Sequence, residues 1–264
     1  MRISILLLFS VLVFTSCSEK TAETTATKKV ILAVFAHPDD ETTVTPVLAK
    51  YAEEGHDVYL AIATDGRYGV TVHAGIPAGD SLAIERAEEL KCAAAALGIK
   101  DPIMFGLHDQ LKMQGGFGPL HDQLNELRER TKKLFEELKP DVVITWSASG
   151  WSGHHDHRLV GSVVTEVFES KKWEKPYQLY YPGIPTGKLP EQGGMFATMD
   201  SVYLNVKVES RPENYVNALK SLYCHRSQYT RQQMDEMRGL VGNSLGNFTW
   251  FRSHHEPAPK DGLF

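Results

Sequence analysis

The chain has 264 residues, of which 42% are hydrophobic and 23% are charged, and its formal net charge is -5. This composition is typical of a globular protein and excludes collagen-like and intrinsically disordered chains. The acidic balance argues against a general nucleic-acid binder, which needs a basic face. Three cysteines are too few for the kind of disulfide framework that holds small secreted domains together.

The N-terminal segment predicts an export signal. Arg2 precedes the apolar run Ile3–Phe14, which is too short to span a bilayer as a stable helix. Small residues then lead to Cys17, and this pattern is similar to a bacterial lipobox. We expect residues 1–16 to be a signal peptide and Cys17 to carry lipid, which makes the protein an exported bacterial lipoprotein, either periplasmic or at the cell surface. The alternative is a plain secretory signal with an incidental cysteine.

The segment that follows has the composition of a tether. Residues 17–29 are predicted to connect the lipid anchor flexibly to the folded part, because Ser18–Lys29 contains no large apolar residue. Residues 30–264 contain no internal repeat and no linker, so we predict that they form a single domain.

Predicted strands and helices alternate along this domain. The first strand is a continuous apolar run typical of a strand buried on both faces. In chain order we predict strand Val30–Ala36, helix Thr42–Glu54, strand Asp57–Thr64, helix Ser81–Leu97, strand Pro102–Phe105, helix His121–Leu138, strand Asp141–Trp146, helix Arg158–Ser170, strands Tyr177–Tyr181 and Ser201–Val208, and helix Pro212–Tyr223. Such alternation predicts a Rossmann-like three-layer α/β/α fold with a mostly parallel sheet. In an open sheet of this kind, ligands bind where the strands end.

A first cluster of ionisable side chains follows the first strand directly. His37 and Asp40 are three residues apart, so a tight turn can direct both at one point, and an imidazole and a carboxylate are suitable zinc ligands. Asp39 lies between them and could face a metal-bound water without binding the metal. A helix N-terminus rich in acids is the alternative interpretation, although the fold gains nothing from such a charge cluster.

A second cluster, Gly153–Arg158, follows the fourth strand. Three of its residues are histidines, and His154 and His157 can share one helix face. Ligands from two strand ends would form a three-ligand zinc site with its fourth position open, which is the catalytic arrangement. A solvated loop with incidental histidines is the alternative.

Together the two clusters resemble a known family. AHPDDE at residues 36–41 and GHHDHR at residues 153–158 are similar to the paired motifs of the PIG-L/LmbE-like zinc-dependent N-deacetylases. Weaker family-like features are Thr64-Asp65-Gly66, Arg86 with Glu89, and His225-x-Ser227-Gln228, so the resemblance spans roughly Val30 to Gln228. One departure is His155, which stands where this family commonly has proline.

The resemblance implies specific roles for the two clusters. It assigns the Zn²⁺ ligands to His37, Asp40 and His157 and the general base to Asp39. His154 becomes an electrophile or general acid, oriented by Asp156. The implied reaction removes the N-acetyl group from an N-acetylated amino sugar or a glycoconjugate that contains one.

Candidate substrate contacts lie outside the two clusters. Arg67 and Asp109 are in loops after strands, where charge-assisted hydrogen bonds could hold a sugar, and surface salt bridges are the alternative for both. His225 follows a helix and could bound the site. Two other functions stay open: a zinc-dependent hydrolase of another amide, and a non-catalytic sugar-binding lipoprotein.

Overall fold

The centre of the fold is a mixed sheet of nine strands with the order β3-β2-β1-β4-β5-β8-β7-β9, and β6 pairs with β5. The structure is a computed structural model that describes residues 27–176, 178–189, 196–240, 246–255 and 259–264. The strands are β1 Val30–Phe35, β2 Asp57–Thr64, β3 Ile103–Leu107, β4 Val142–Ile144, β5 Gln178–Pro185, β6 Thr198–Met199, β7 Val206–Glu209, β8 Phe248–Ser253 and β9 Lys260–Asp261. The predicted signal peptide and Cys17 lie outside the described residues, as does the tether as far as residue 26.

Helices cover both faces of this sheet. They are α1 Thr45–Glu53, α2 Asp80–Leu97, α3 Phe117–Leu138, the single turn α4 Gly150–Gly153, α5 His155–Glu169, α6 Pro212–Leu222 and α7 Arg231–Leu240. Short 3₁₀ helices occupy Asp40–Thr43, Asp109–Gly115 and Ser201–Tyr203. Within the described residues, none of the helices combines the length and apolar character that a membrane span requires.

The alternation of side chains along β1 explains the three layers. Ile31 and Phe35 belong to a core cluster shared with α1 and α2, whereas Leu32 and Val34 belong to a second cluster shared with α3 and α5. Successive residues of a strand point to opposite faces, so a fully apolar strand needs cover on both sides. The predicted three-layer α/β/α architecture with a mostly parallel sheet is confirmed, and β1 to β5 are parallel to one another.

Close packing brings α5 to the end of β4. A Cβ atom at Gly161 would collide with the backbone carbonyl oxygen of Trp146, so only glycine lets the helix approach this near. The first turn of α5 therefore lies beside the carboxyl end of β4. Because β4 pairs in parallel with β1, it also lies beside the residues that follow β1.

Several predicted boundaries are wrong. The predicted helix Arg158–Ser170 begins three residues earlier, at His155, and His154 is its N-cap residue. The predicted strand Ser201–Val208 divides into a 3₁₀ turn and β7. Helix α7 and strand β8 were not predicted. For α7 the reason is a strongly polar sequence that buries few side chains against the core.

A disulfide joins two distant parts of the chain. Cys92 in α2 and Cys224, just after α6, are bonded across 132 residues. The spacing of the cysteines gave no sign of this pair, because partners so far apart leave no local pattern. The bond ties α2 to the segment that carries His225, whose place beside the candidate site is described below.

Candidate active site

The two predicted clusters meet at the carboxyl ends of β1 and β4. His37 Nδ1 lies 3.2 Å from His157 Nε2, and His157 Nε2 lies 3.1 Å from Asp40 Oδ1. The distance from His37 Nδ1 to Asp40 Oδ2 is 3.8 Å. All three residues are nearly buried, so the parallel sheet brings two histidines and one carboxylate to a single protected point.

The outer nitrogens of the two histidines are already occupied. His37 Nε2 lies 3.0 Å from Asp156 Oδ2 and 3.3 Å from Asp109 Oδ1, and His157 Nδ1 donates to the carbonyl oxygen of Gly150 at 2.9 Å. A proton on each outer nitrogen leaves a lone pair on each inner nitrogen, which is how metal-binding histidines are usually oriented. Two lone pairs facing each other require a proton or a cation between them.

The two carboxylate oxygens of Asp40 have different surroundings. Its Oδ2 accepts hydrogen bonds from the backbone N–H groups of Ala36 and His37, both at 2.9 Å, and from Trp146 Nε1 at 3.2 Å. Oδ1 is left facing His157. Burial opposes ionisation of Asp40, but the neighbouring histidines hold its pKa well below the usual range. Trp146 also stacks on the His157 ring, with centroids 4.7 Å apart, and so orients the side chains of both Asp40 and His157.

This donor set fits a divalent cation. Zinc holds nitrogen and oxygen ligands at about 2.0–2.1 Å in a tetrahedron, which places neighbouring ligand atoms roughly 3.4 Å apart. His157 Nε2 lies 3.2 Å from His37 Nδ1 and 3.1 Å from Asp40 Oδ1, which is close to that spacing. The surrounding side chains are also acidic, and the carboxylates gathered there are Asp39, Asp40, Asp109 and Asp156.

His154 is also close, yet its hydrogen bonding gives it a different role. It falls within 4.8 Å of His37 and His157 when ligating atoms are grouped. However, its Nδ1 accepts the backbone N–H of Asp156 at 3.2 Å, which leaves the proton of the neutral ring on Nε2. Burial and the nearby His37 lower the pKa of His154 to about 4. A neutral ring with an Nε2–H is a hydrogen-bond donor rather than a metal ligand.

Asp156 does not orient His154 as the resemblance implied. Its carboxylate, fully buried, contacts His37 Nε2 and accepts the backbone N–H of Gln110 at 3.0 Å. Only its backbone N–H reaches His154. The side chain of Asp156 therefore positions a predicted metal ligand, while the helix N-terminus positions His154.

Asp39 is clamped by residues from distant parts of the chain. Its Oδ1 lies 3.1 Å from Arg86 NH2, and its Oδ2 accepts a hydrogen bond from the Tyr229 hydroxyl at 3.1 Å. Its backbone N–H donates to Glu41 Oε2 at 3.0 Å. The φ angle of Asp39 is 107°, a conformation that costs energy for any residue other than glycine. Burial raises the pKa of Asp39 although Arg86 opposes this.

A buried ion pair between His225 and Glu41 lies next to Asp39 in the fold. His225 Nε2 lies 2.6 Å from Glu41 Oε1, and both side chains are fully buried. Glu89 in turn accepts hydrogen bonds from the backbone N–H and hydroxyl of Ser227 at 2.6 and 2.7 Å. His225, one of the weaker family-like features, thus fixes the side chain of Glu41. Glu41 in turn accepts the backbone N–H of Asp39.

Of the three predicted substrate contacts, two are buried and one is partly exposed. Asp109 is buried against His37, and His225 is fully buried against Glu41, so neither is exposed to a sugar in this structure. Arg67 is partly exposed, but its guanidinium pairs with Asp65 at 2.6 Å and with Asp80 at 3.2 Å. The local sequence predicts that Asp109 and His225 lie outside the strands and helices. Only the folded chain shows that Asp109 contacts His37 and that His225 contacts Glu41.

Two residues that contact the cluster, Trp146 and Tyr229, are not among the predicted site residues. Trp146 is an aromatic residue directly after a buried strand, and that position was the available signal. Tyr229 had no signal, because it reaches Asp39 across 190 residues of chain.

Replacing Tyr229 with phenylalanine should lower kcat about tenfold and leave KM little changed, because a hydrogen bond to a charged group contributes roughly 1.5–3 kcal/mol. The hydroxyl favours the ionised form of Asp39, so its loss should raise the pKa of Asp39 and move the acid limb of the pH–rate profile to higher pH. A profile that does not move would show that Tyr229 only fills space. Replacing the exposed Tyr203 with phenylalanine is the matched control.

Comparison with protein families gives a direct match. The family described as GlcNAc-PI de-N-acetylase (PIG-L) matches residues 32–168, just over half of the chain. This segment contains both histidine clusters. A relative from Mycobacteroides abscessus, the 1D-myo-inositol 2-acetamido-2-deoxy-alpha-D-glucopyranoside deacetylase, is 32% identical over 177 residues, which are 62% of this chain and 63% of that enzyme. The aligned part therefore spans less than two thirds of the relative.

Solved structures share the fold at low identity. The N,N'-diacetylchitobiose deacetylase from Pyrococcus horikoshii has a TM-score of 0.61 at 19% identity, covering 85% of this chain and 83% of that one. GalB, the 4-carboxy-2-hydroxymuconate hydratase from Pseudomonas putida KT2440, has a TM-score of 0.60 at 16% identity, covering 88% of this chain and 98% of that one. Since one fold carries a deacetylase and a hydratase, the reaction has to be argued from the site.

Proposed function

We propose that this chain, which belongs to the PIG-L family of de-N-acetylases, is a metal-dependent hydrolase that removes the N-acetyl group from an N-acetylated amino sugar or its conjugate. The observation that carries the proposal is the pair of inner histidine nitrogens 3.2 Å apart, each fixed by a hydrogen bond on its outer nitrogen. Together with Asp40 they would hold the metal, and we assign it as zinc.

The chain's own residues supply the proton transfers. When bound, a divalent metal at this point supplies positive charge that acidifies water and polarises a carbonyl oxygen. Asp39 accepts the proton of the attacking water, and burial makes it a stronger base than an exposed aspartate. His154 donates its Nε2–H to the oxygen that becomes negative as the tetrahedral intermediate forms. Asp39 then returns its proton to the leaving amine.

The choice of an acetylated amino sugar rests on the family and its relatives. The family description, the Mycobacteroides abscessus enzyme and the Pyrococcus horikoshii enzyme all name substrates that contain an N-acetylated glucosamine unit. The neutral hydrogen-bond donor His154 and the buried carboxylate of Asp39 suit an acetamide. Its carbonyl oxygen gains negative charge, which His154 stabilises, and its amine needs a proton to leave, which Asp39 returns.

A panel of amides tests this function. Metal-loaded protein should release acetate and free amine in equal amounts from N-acetylglucosamine glycosides, and much more slowly from N-acetyl amino acids and acetylated peptides. A reversed preference would favour a hydrolase of another amide, and release from none of them would favour a sugar-binding protein without catalysis.

We also propose that the protein is exported and held at a membrane by lipid on Cys17, with residues 1–16 removed, residues 17–29 as tether and residues 30–264 as one catalytic domain. The supporting observation within the described residues is the disulfide between Cys92 and Cys224. Disulfides persist in oxidising compartments such as the periplasm and the cell exterior, and are rare in the cytosol.

Replacing Cys17 with alanine should release the protein from the membrane fraction and leave its hydrolase activity unchanged. Residues 18–29 contain no large apolar side chain that would anchor them to the core. One acyl chain binds a membrane only marginally, whereas several hold it stably. Fractionation and fatty-acid labelling measure the effect. A wild-type protein that takes up no label, with a mature N-terminus other than Cys17, would contradict the lipoprotein assignment.

A further inference from the structure

The disulfide between Cys92 and Cys224 continues a row of contacts along α2. Arg86, Glu89 and Cys92 follow one another at three-residue intervals, and side chains at this spacing are neighbours on a helix surface. Arg86 lies 3.1 Å from Asp39, and the side chains of Arg86 and Glu89 are both buried. Within two turns, α2 therefore carries both a contact to the proposed general base and the disulfide.

The second cysteine of the disulfide begins residues 224–229, which we call the support segment. His225 Nε2 lies 2.6 Å from Glu41 Oε1, and Glu41 Oε2 accepts the backbone N–H of Asp39 at 3.0 Å. The Tyr229 hydroxyl donates to Asp39 Oδ2, also at a hydrogen-bonding distance, 3.1 Å. The support segment thus reaches the general base by two routes, one direct and one through Glu41.

The support segment is held firmly on one side only. Ser227 donates its backbone N–H and its hydroxyl to Glu89 at 2.6 and 2.7 Å, and the disulfide adds a covalent bond to the same helix. On the other side the segment leads into α7, where Met234 is the one buried side chain among residues 231–239. A stretch with few buried contacts opens locally at low cost in free energy. A cross-link at its first residue restricts such opening, because it limits the conformations that the chain can reach.

We propose that the Cys92–Cys224 disulfide is a positioning element for catalysis, which holds the support segment against α2 so that Tyr229 keeps Asp39 in place. The catalytic part of this inference rests on the proposed function, whereas the link from the disulfide to the Asp39 contact does not. Asp39 depends on such contacts, because its φ angle of 107° costs energy for any residue other than glycine. Opening the disulfide should therefore slow hydrolysis in a protein that stays folded.

The disulfide can be opened and closed chemically. Cys92 is exposed, so a reagent can reach the bond without unfolding the protein. A water-soluble phosphine cleaves the bond to two thiols, and the phosphine takes up the oxygen of a water molecule to become a phosphine oxide. Oxidised glutathione reverses the change. It accepts two electrons and two protons from the thiols and becomes two molecules of reduced glutathione.

Reduction of the wild-type protein should lower kcat on an N-acetylglucosaminide about three- to tenfold. The upper value is the expected effect of losing the hydrogen bond from Tyr229 altogether, and the lower value corresponds to a segment that is open part of the time. KM and metal content should not change, because the proposed metal ligands lie outside the support segment. Reoxidation should restore kcat. Both states are measured well below their melting temperatures, so that unfolding does not contribute.

Two variants separate positioning from stability. Cys92→Ser/Cys224→Ser should have the kcat of the reduced protein, and neither reagent should change it. Phe135→Leu is the matched control, since Phe135 is fully buried in the second core cluster, on the face of the sheet opposite α2. It should lower the melting temperature and keep kcat. A matching loss of kcat in Phe135→Leu would show that the disulfide acts through stability alone.

Amide hydrogen exchange of residues 225–229, followed by mass spectrometry, measures the support segment without reference to hydrolysis. Exchange should be faster in the reduced protein and in the double variant than in the oxidised wild-type protein. Faster exchange with a lower kcat supports the proposal. Equal exchange in both states overturns it, and so does faster exchange with an unchanged kcat. An oxidised protein that hydrolyses no acetylated sugar contradicts the proposed function, and exchange alone then decides whether the disulfide holds the segment.

Discussion

Replacing His157 with alanine should remove the bound metal and the hydrolase activity together. His157 supplies one of two inner nitrogens, and its loss leaves one imidazole and one carboxylate, too few protein ligands for a catalytic zinc site. The fold should survive, because His157 lies in the first turn of α5, whose packing depends on apolar residues further along the helix. Metal analysis after dialysis and a circular dichroism melt measure both outcomes.

The matched control is the neighbouring residue, His155→Ala. The side chain of His155 is 39% exposed, and its nearest carboxylate is Asp156 rather than Asp40. It should keep both metal and activity. His154, His155 and Asp156 also form a compact group of ligating atoms. Metal lost in His155→Ala and kept in His157→Ala would move the metal site to that group.

Replacing Asp39 with asparagine should leave the metal bound and slow hydrolysis by about 10²–10⁴-fold, the usual cost of losing a general base. Asparagine has the same shape, and its carbonyl oxygen can still accept one of the bonds from Arg86 and Tyr229. It cannot accept the proton of water. Because Asp39 is not a ligand in this account, metal content should equal that of the wild-type protein.

The control for this variant is Asp80, which also forms an ion pair with an arginine. Asp80 lies 3.2 Å from Arg67, and its side chain is 85% exposed. Asp80→Asn should hydrolyse the substrate at the wild-type rate. Wild-type turnover in Asp39→Asn would show that Asp39 positions other groups and does not transfer a proton.

The parts of this protein that could be predicted from sequence depend on local patterns. The boundaries of β2 were predicted without error, and those of β1 to within one residue, because continuous apolar runs mark strands covered on both faces. The parallel arrangement follows from strand and helix alternation. It also places His37 near His157, since residues after adjacent parallel strands share one edge.

The support of the site could not be predicted in the same way. Tyr229 reaches Asp39, His225 reaches Glu41, and Cys92 pairs with Cys224 across separations of 132 to 190 residues. Neither hydrophobic periodicity nor motif spacing carries information about such pairs. His225 illustrates the result, since its place after a helix predicts a residue at the edge of the site, whereas the fold buries it against Glu41.

Titration of the metal-free protein with zinc tests the central claim most directly. Acetate release from an N-acetylglucosaminide should be absent without metal, rise in proportion to added zinc and reach its plateau at one equivalent per chain, where the inner nitrogens of His37 and His157 and the free oxygen of Asp40 are all engaged. Undiminished acetate release from protein shown to contain no metal would contradict the account.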